Sequence, residues 1–455
     1  MTKPLFYLVC VCMALAFFPS CVKDGAKPNS TVPLSSVKEL DNFTVTRADG
    51  TTFGASDILI TVASGDTILV TLPPFTDLTR LTPVFSIKGK SVSPLSGVTI
   101  NLSAPVIFTV TAEDGSQIKY TVIVKTRGTV FFGTNDNRFF ALDAGTGKQV
   151  WMDSLPGEFQ YCVPQAIDSL VFVASTSGIV YGLSAVNGAV KWQFQAGGPV
   201  ASTPTIANGT VYFGSDDHNF YAVDLSSASL KWKFATGGPV DTRPPVLNGT
   251  VYFASGDGNL YAADAVTGAP VWHLTIGLTA IAAPALSNGL IYIGSRSDSL
   301  EAVDAVSGTE TWSAKADGFS LENSSITVDS GVVYVGAESG SLFAFDAATG
   351  AQKWKSLVAA SVYDQPFVDD NKVYVTADDG NLYAVSAQTG VMLWADAQIY
   401  ANGAGPIVVD GTLYVGGGGS RYFYAFNSGT GSPIWKFYTG NAIDLSYRPL
   451  YLPGN

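Results

Sequence analysis

Histidine is nearly missing from this 455-residue chain, which holds only His218 and His273. One lies in a polar loop and the other directly follows a tryptophan, so neither reads as a general base with an orienting partner. Cysteine is scarce as well: of four residues, Cys10, Cys12 and Cys21 crowd the first 21 positions. Only Cys162 is left for a folded domain, which excludes a disulfide framework and suggests a small packing side chain. Charged residues make up only 14% of the chain, and Lys plus Arg are outnumbered 25 to 37, giving a net charge of −12. That imbalance argues against nucleic acid, and against an anionic membrane surface, as a partner. No Gly-x-Ser-x-Gly, His-Glu-x-x-His or phosphate-loop pattern occurs. The chain therefore reads as a non-enzyme, with a paired-carboxylate glycosidase left open because a sequence gives no carboxylate separations.

Tryptophan, by contrast, follows a ruler. Trp151, Trp192, Trp232, Trp272, Trp312, Trp354, Trp394 and Trp435 are spaced 40 to 42 residues apart. Ten residues before each stands a small residue (Ala141, Gly182, Ala222, Ala262, Ala302, Ala344, Ala384, Ala425), with room opposite for an indole ring. Eight before stands Asp, Ser or Asn, and four before stands Gly in every unit but one, where Ala228 replaces it. A short polar side chain opens a turn by bonding its own backbone, and glycine closes it at positive φ. Upstream, runs such as Thr210–Asp224 alternate as two strands around a polar loop, and most units begin with a Pro-led strand. Four short strands per forty-residue unit predict an all-β fold, an eight-bladed β-propeller over residues 127–455. The first unit opens at Gly128 without a Pro-led strand, and the chain ends on one at Asp444–Leu452. The C-terminal strand is thus expected to complete the first blade.

The pattern Ala-x-Asp-x-x-Thr-Gly-x-x-x-Trp, read at Ala141–Trp151 and Ala262–Trp272, resembles the tryptophan-docking motif of pyrroloquinoline quinone (PQQ) repeat propellers. That group includes quinoprotein dehydrogenases and the lipoprotein subunit of the outer-membrane β-barrel assembly machine. The resemblance implies interblade docking for all eight tryptophans. It invites a PQQ cofactor as well, but that family commonly sets the quinone beside a disulfide under long covering loops. One propeller cysteine and lean blades depart from that plan, so no cofactor and no metal are expected.

Residues 1–20 read as a secretion signal, with Lys3 ahead of an apolar core at Leu5–Phe18. Ser20-Cys21 then resembles a lipobox, making Cys21 the expected lipidation site and the lipid the only membrane contact. Residues 21–36 form a polar tether. Residues 37–126 alternate strongly, with a hairpin turning at Glu113–Ser116, and resemble an immunoglobulin-like β-sandwich of envelope lipoproteins. Val22 lacks the acid linked to inner-membrane retention, so the outer membrane is the expected location, periplasmic or surface-facing.

One propeller face should carry the repetitive turns, the other the divergent loops between blades. Residues entering the Pro-led strands should line the channel mouth: Tyr161, Asp241, Arg243, Glu322, Asn323, Tyr363, Asp364, Gln365, Tyr447 and Arg448. Arginines and acids around one axis suit a polar ligand or a charged partner loop, though they could instead neutralise one another. Loop acids such as Asp217, Asp257 and Asp379 give no single loop the ligand density of a calcium site. The expected function is an envelope scaffold for another protein, related to barrel assembly. The alternative is a surface lipoprotein that binds glycan through the mouth tyrosines.

Overall fold

The computed structural model describes residues 35–63, 66–159, 162–277, 283–294, 298–316, 321, 325–396, 399, 405–443 and 448–455. The signal segment, Cys21 and most of the tether lie outside them, as do Tyr161, Glu322, Asn323 and Tyr447.

The described residues form strands and turns only, and residues from Thr129 onward build eight four-stranded sheets in sequence order. Blade 3 shows the plan. Strand A is Thr205–Ala207, B is Thr210–Ser215, C is Asn219–Asp224 and D is Leu230–Ala235, each antiparallel to the next. Strand B is buried along its whole length, because neighbouring blades cover both of its faces. That explains why "TVYFGS" is a nearly continuous apolar run rather than an alternation. Strand D, at the rim, is exposed apart from Trp232 and Phe234, two residues apart, which are half-buried. The A strands of several neighbouring blades touch one another and so form the innermost ring.

Leu450–Leu452 pairs antiparallel with Thr129–Gly133, joining Leu450 to Phe131 and Leu452 to Thr129. The last strand of the chain is therefore the A strand of blade 1, and the ring closes through it.

The front module holds a five-stranded sheet and a separate strand pair, Glu39–Arg47 with Leu81–Lys88. Val106–Thr111 and Gln117–Thr126 form the expected hairpin, closed by Gly115 at φ +84. Thr67–Leu72 joins that sheet in parallel with Gln117–Thr126. Phe43 stacks on Phe85, and Phe108 meets both edge-on.

The module is pinned to the propeller rather than strung from it. Arg127 Nε donates to both carboxylate oxygens of Asp143 at 2.8 Å, and its Nη2 donates to the Asp57 carbonyl at 3.0 Å. Lys148 Nζ reaches Asp57 at 2.5 Å, and the Asn455 amide donates to Thr126 Oγ1 at 2.8 Å. Asp143 and Lys148 belong to the C–D turn of blade 1, so the module sits on the face of repetitive turns. The described D–A and B–C loops lie at the opposite ends of the strands.

Candidate functional site

Most repeated polar groups are spent on holding the ring. Each tryptophan inserts against the next blade and donates its Nε1–H to a backbone carbonyl there. Trp232 bonds Ala265 O at 3.2 Å, Trp272 bonds Ala305 O at 3.1 Å, and Trp435 closes the circle on Ala144 O at 3.0 Å. Six B-strand tyrosines add a second donor to the same acceptor: Tyr212 OH also reaches Ala265 O, at 2.8 Å. Tyr252, Tyr292, Tyr334, Tyr374 and Tyr414 repeat this, whereas blades 1 and 2 carry Phe131 and Phe172 instead. Both lone pairs of one carbonyl are thereby filled across an interblade seam. The signal was in plain view, since these tyrosines stand 20 or 21 residues before each Trp. Its meaning needed the acceptor, which lies a blade away.

The turn aspartates behave as their position suggests. Asp264 Oδ1 accepts the amides of Val266 and Thr267 and the Thr267 hydroxyl. In the B–C loops, Asp217 and Asp379 each accept a tyrosine hydroxyl at 2.5 Å, from Tyr221 and Tyr383, and Asp257 accepts Tyr261 at 2.8 Å. Each also takes the amide of the asparagine two residues on. These carboxylates latch their own loops, and no metal-binding cluster forms among the described residues. Cys162 is fully buried, takes the Ala174 amide on its sulfur, and has its thiol pKa pushed up to about 12 by burial.

The candidate mouth residues separate into three groups. Asp241 is half-buried and faces Asp216; burial first, then the Asp216 carboxyl, raises it to about 7. Tyr363 is half-buried, and its carbonyl accepts the Ser325 amide at 3.4 Å. Asp364 departs from the expected mouth position: it is 1% exposed, and neither carboxylate oxygen has a hydrogen-bond partner. Burial lifts its pKa well above the carboxylate range, although the Arg448 charge opposes that shift.

Arg243, Gln365 and Arg448 converge on the axis. They line a cavity of about 420 Å³ walled by the starts of the A strands, among them Pro244, Pro245, Leu286 and Val328. Arg448 Nη2 donates to the carbonyls of Gln365 and Pro366 at 3.0 Å each, and its guanidinium lies 5.0 Å over the Phe367 ring. Arg243 keeps solvent access along the channel, yet the crowding walls lower its pKa. Among the described residues its one hydrogen bond is a long one, Nη2 to Gln165 Oε1 at 3.4 Å. Sequence reasoning named both arginines and the Pro-led strands beside them but missed Gln165, which carries no recognisable pattern.

Residues 162–241, 230–326 and 319–443 match a family model described as outer membrane protein assembly factor BamB. Residues 51–124 match a second, described as SGBP, N-terminal. The outer membrane protein assembly factor BamB of Yersinia pestis is 33% identical over 81 residues, which are 16% of this chain and 21% of that protein. The match thus spans about a fifth of that relative's length. Among solved structures, BamB from Moraxella catarrhalis superposes with a TM-score of 0.56 at 21% identity, over 63% of this chain and 90% of that one. A quinohemoprotein alcohol dehydrogenase from Pseudomonas putida HK5 gives 0.56 at 15% identity, over 66% of this chain and 69% of that one. At such identities these two share the fold alone. The family model, however, matches more than half of the chain, which is a PQQ-repeat propeller belonging to the family described as outer membrane protein assembly factor BamB.

Proposed function

We propose that this protein is a non-catalytic binding protein of the outer membrane. In this reading a lipid on Cys21 anchors it, and the front module holds the propeller by its turn face. The divergent loops then point away from the tethered end, toward a partner. The observation that carries this reading is the docking of the module through Arg127 and Lys148 on the C–D turn of blade 1. A presenting spacer would be joined in this way.

The partner we favour is a glycan at the cell surface. The support is the front module's match to the family described as SGBP, N-terminal, together with the half-buried Tyr363, whose ring face suits a sugar. Migration of the purified protein through native gels containing extracellular polysaccharides tests it. Retardation by one polysaccharide, lost in Tyr363→Ala, is the expected result. No retardation across a broad panel, with Tyr363→Ala behaving as wild type, would overturn it. A second reading, contact with outer-membrane assembly proteins, is favoured by the BamB-like propeller. In vivo crosslinking that captures a barrel-assembly component would favour that reading instead.

A further inference from the structure

Arg243 and Arg448 are an unusual pair, because two cations share one cavity and neither forms an ion pair with a described carboxylate. Among the described residues every hydrogen bond they make goes to a neutral oxygen, and the buried Nε of Arg448 makes none. Like charges brought together at one cavity repel, and an anion that joins them relieves that cost.

We infer that the channel cavity is a binding site for a small organic acid, its carboxylate bridging Arg243 and Arg448 and its apolar body lying on the proline wall. The guanidinium fork matches a carboxylate in two parallel bonds, and Arg448 is already locked by two carbonyls and the Phe367 ring. Pre-organisation of that kind lowers the cost of binding. Pro244, Pro245, Leu286 and Val328 offer apolar surface beside the charges. The volume falls within the ordinary range of small-molecule pockets, about 300–1,000 Å³.

Asp364 does not spoil the site. Burial raises its pKa, and neither of its carboxylate oxygens makes a hydrogen bond, so it occupies no donor of Arg448. Burial chiefly, and the Arg243 charge next, bring Arg448 down only to about 10, so the guanidinium stays cationic. The site does not depend on which partner the outer loops engage.

Thermal melting and calorimetric titration of the full chain test the inference, with benzoate, glucuronate and inorganic phosphate as probes at matched ionic strength. Benzoate is expected to raise the melting temperature saturably. Glucuronate should act more weakly, because its polar body gains nothing from the wall, and phosphate least. Arg243→Gln should weaken benzoate binding about tenfold to a hundredfold. In the ligand-free protein the same change should raise the melting temperature, by relieving repulsion. A purely structural Arg243 would do the opposite. Glucuronate binding more tightly than benzoate would overturn the apolar-body assignment. No shift with any probe, or a shift that survives Arg243→Gln, would overturn the site.

Discussion

Ala228 is the one place where a docking glycine is replaced, and it shows what the glycine does. It keeps the positive φ of its glycine counterparts, at +54. Trp192, which packs in this neighbourhood, bonds the Asp224 carbonyl at 3.3 Å, whereas Trp151 and Trp232 bond the residue one place further on. Where glycine is present, a Cβ would meet the incoming indole: at Gly268 it would lie 2.6 Å from the Trp232 ring. Ala228→Gly should therefore raise stability by about 1 kcal/mol, and Gly268→Ala should lower it by about 2–3 kcal/mol, both read by urea denaturation. Tyr212→Phe should cost only about 1 kcal/mol, because Trp232 still satisfies the Ala265 carbonyl. Asp241 supplies a pH signature. Its folded pKa of about 7 exceeds the ordinary 3.8, so the folded state holds the proton between those values. Its contribution is full below 3.8 and lost as pH rises through about 7. Asp241→Asn should thus melt well above wild type at pH 8 and close to it at pH 4.

Among the elements, the repeat was legible because packing enforces it. A Trp must find a small residue across the strand and a glycine in the next blade, so spacing alone revealed eight blades. The loops between blades answer to no such rule. Their sequences identified Arg243 and Arg448 as mouth residues, but not that Asp364 is sealed within the wall or that Gln165 lies against Arg243. Those facts depend on how separate blades converge, which strand alternation does not encode. The junction carries its own test. Arg127 and Asp143 are 11% and 5% exposed, so Arg127→Ala strands a buried carboxylate. The expected cost is about 3 kcal/mol, and it should appear as faster proteolysis between module and propeller.

At the scale of the molecule, one face is occupied and the other is free to vary. The front module takes the C–D turn of blade 1, while the described D–A and B–C loops look the opposite way. A membrane-anchored module would then display the divergent face outward, with the arginine-lined cavity opening at its centre. Surface display is the central claim, and antibody labelling of the propeller on intact cells, against lysed cells, tests it most directly. Equal labelling of both is the expected result. Labelling only after lysis would contradict it and leave a periplasmic assembly role as the surviving reading.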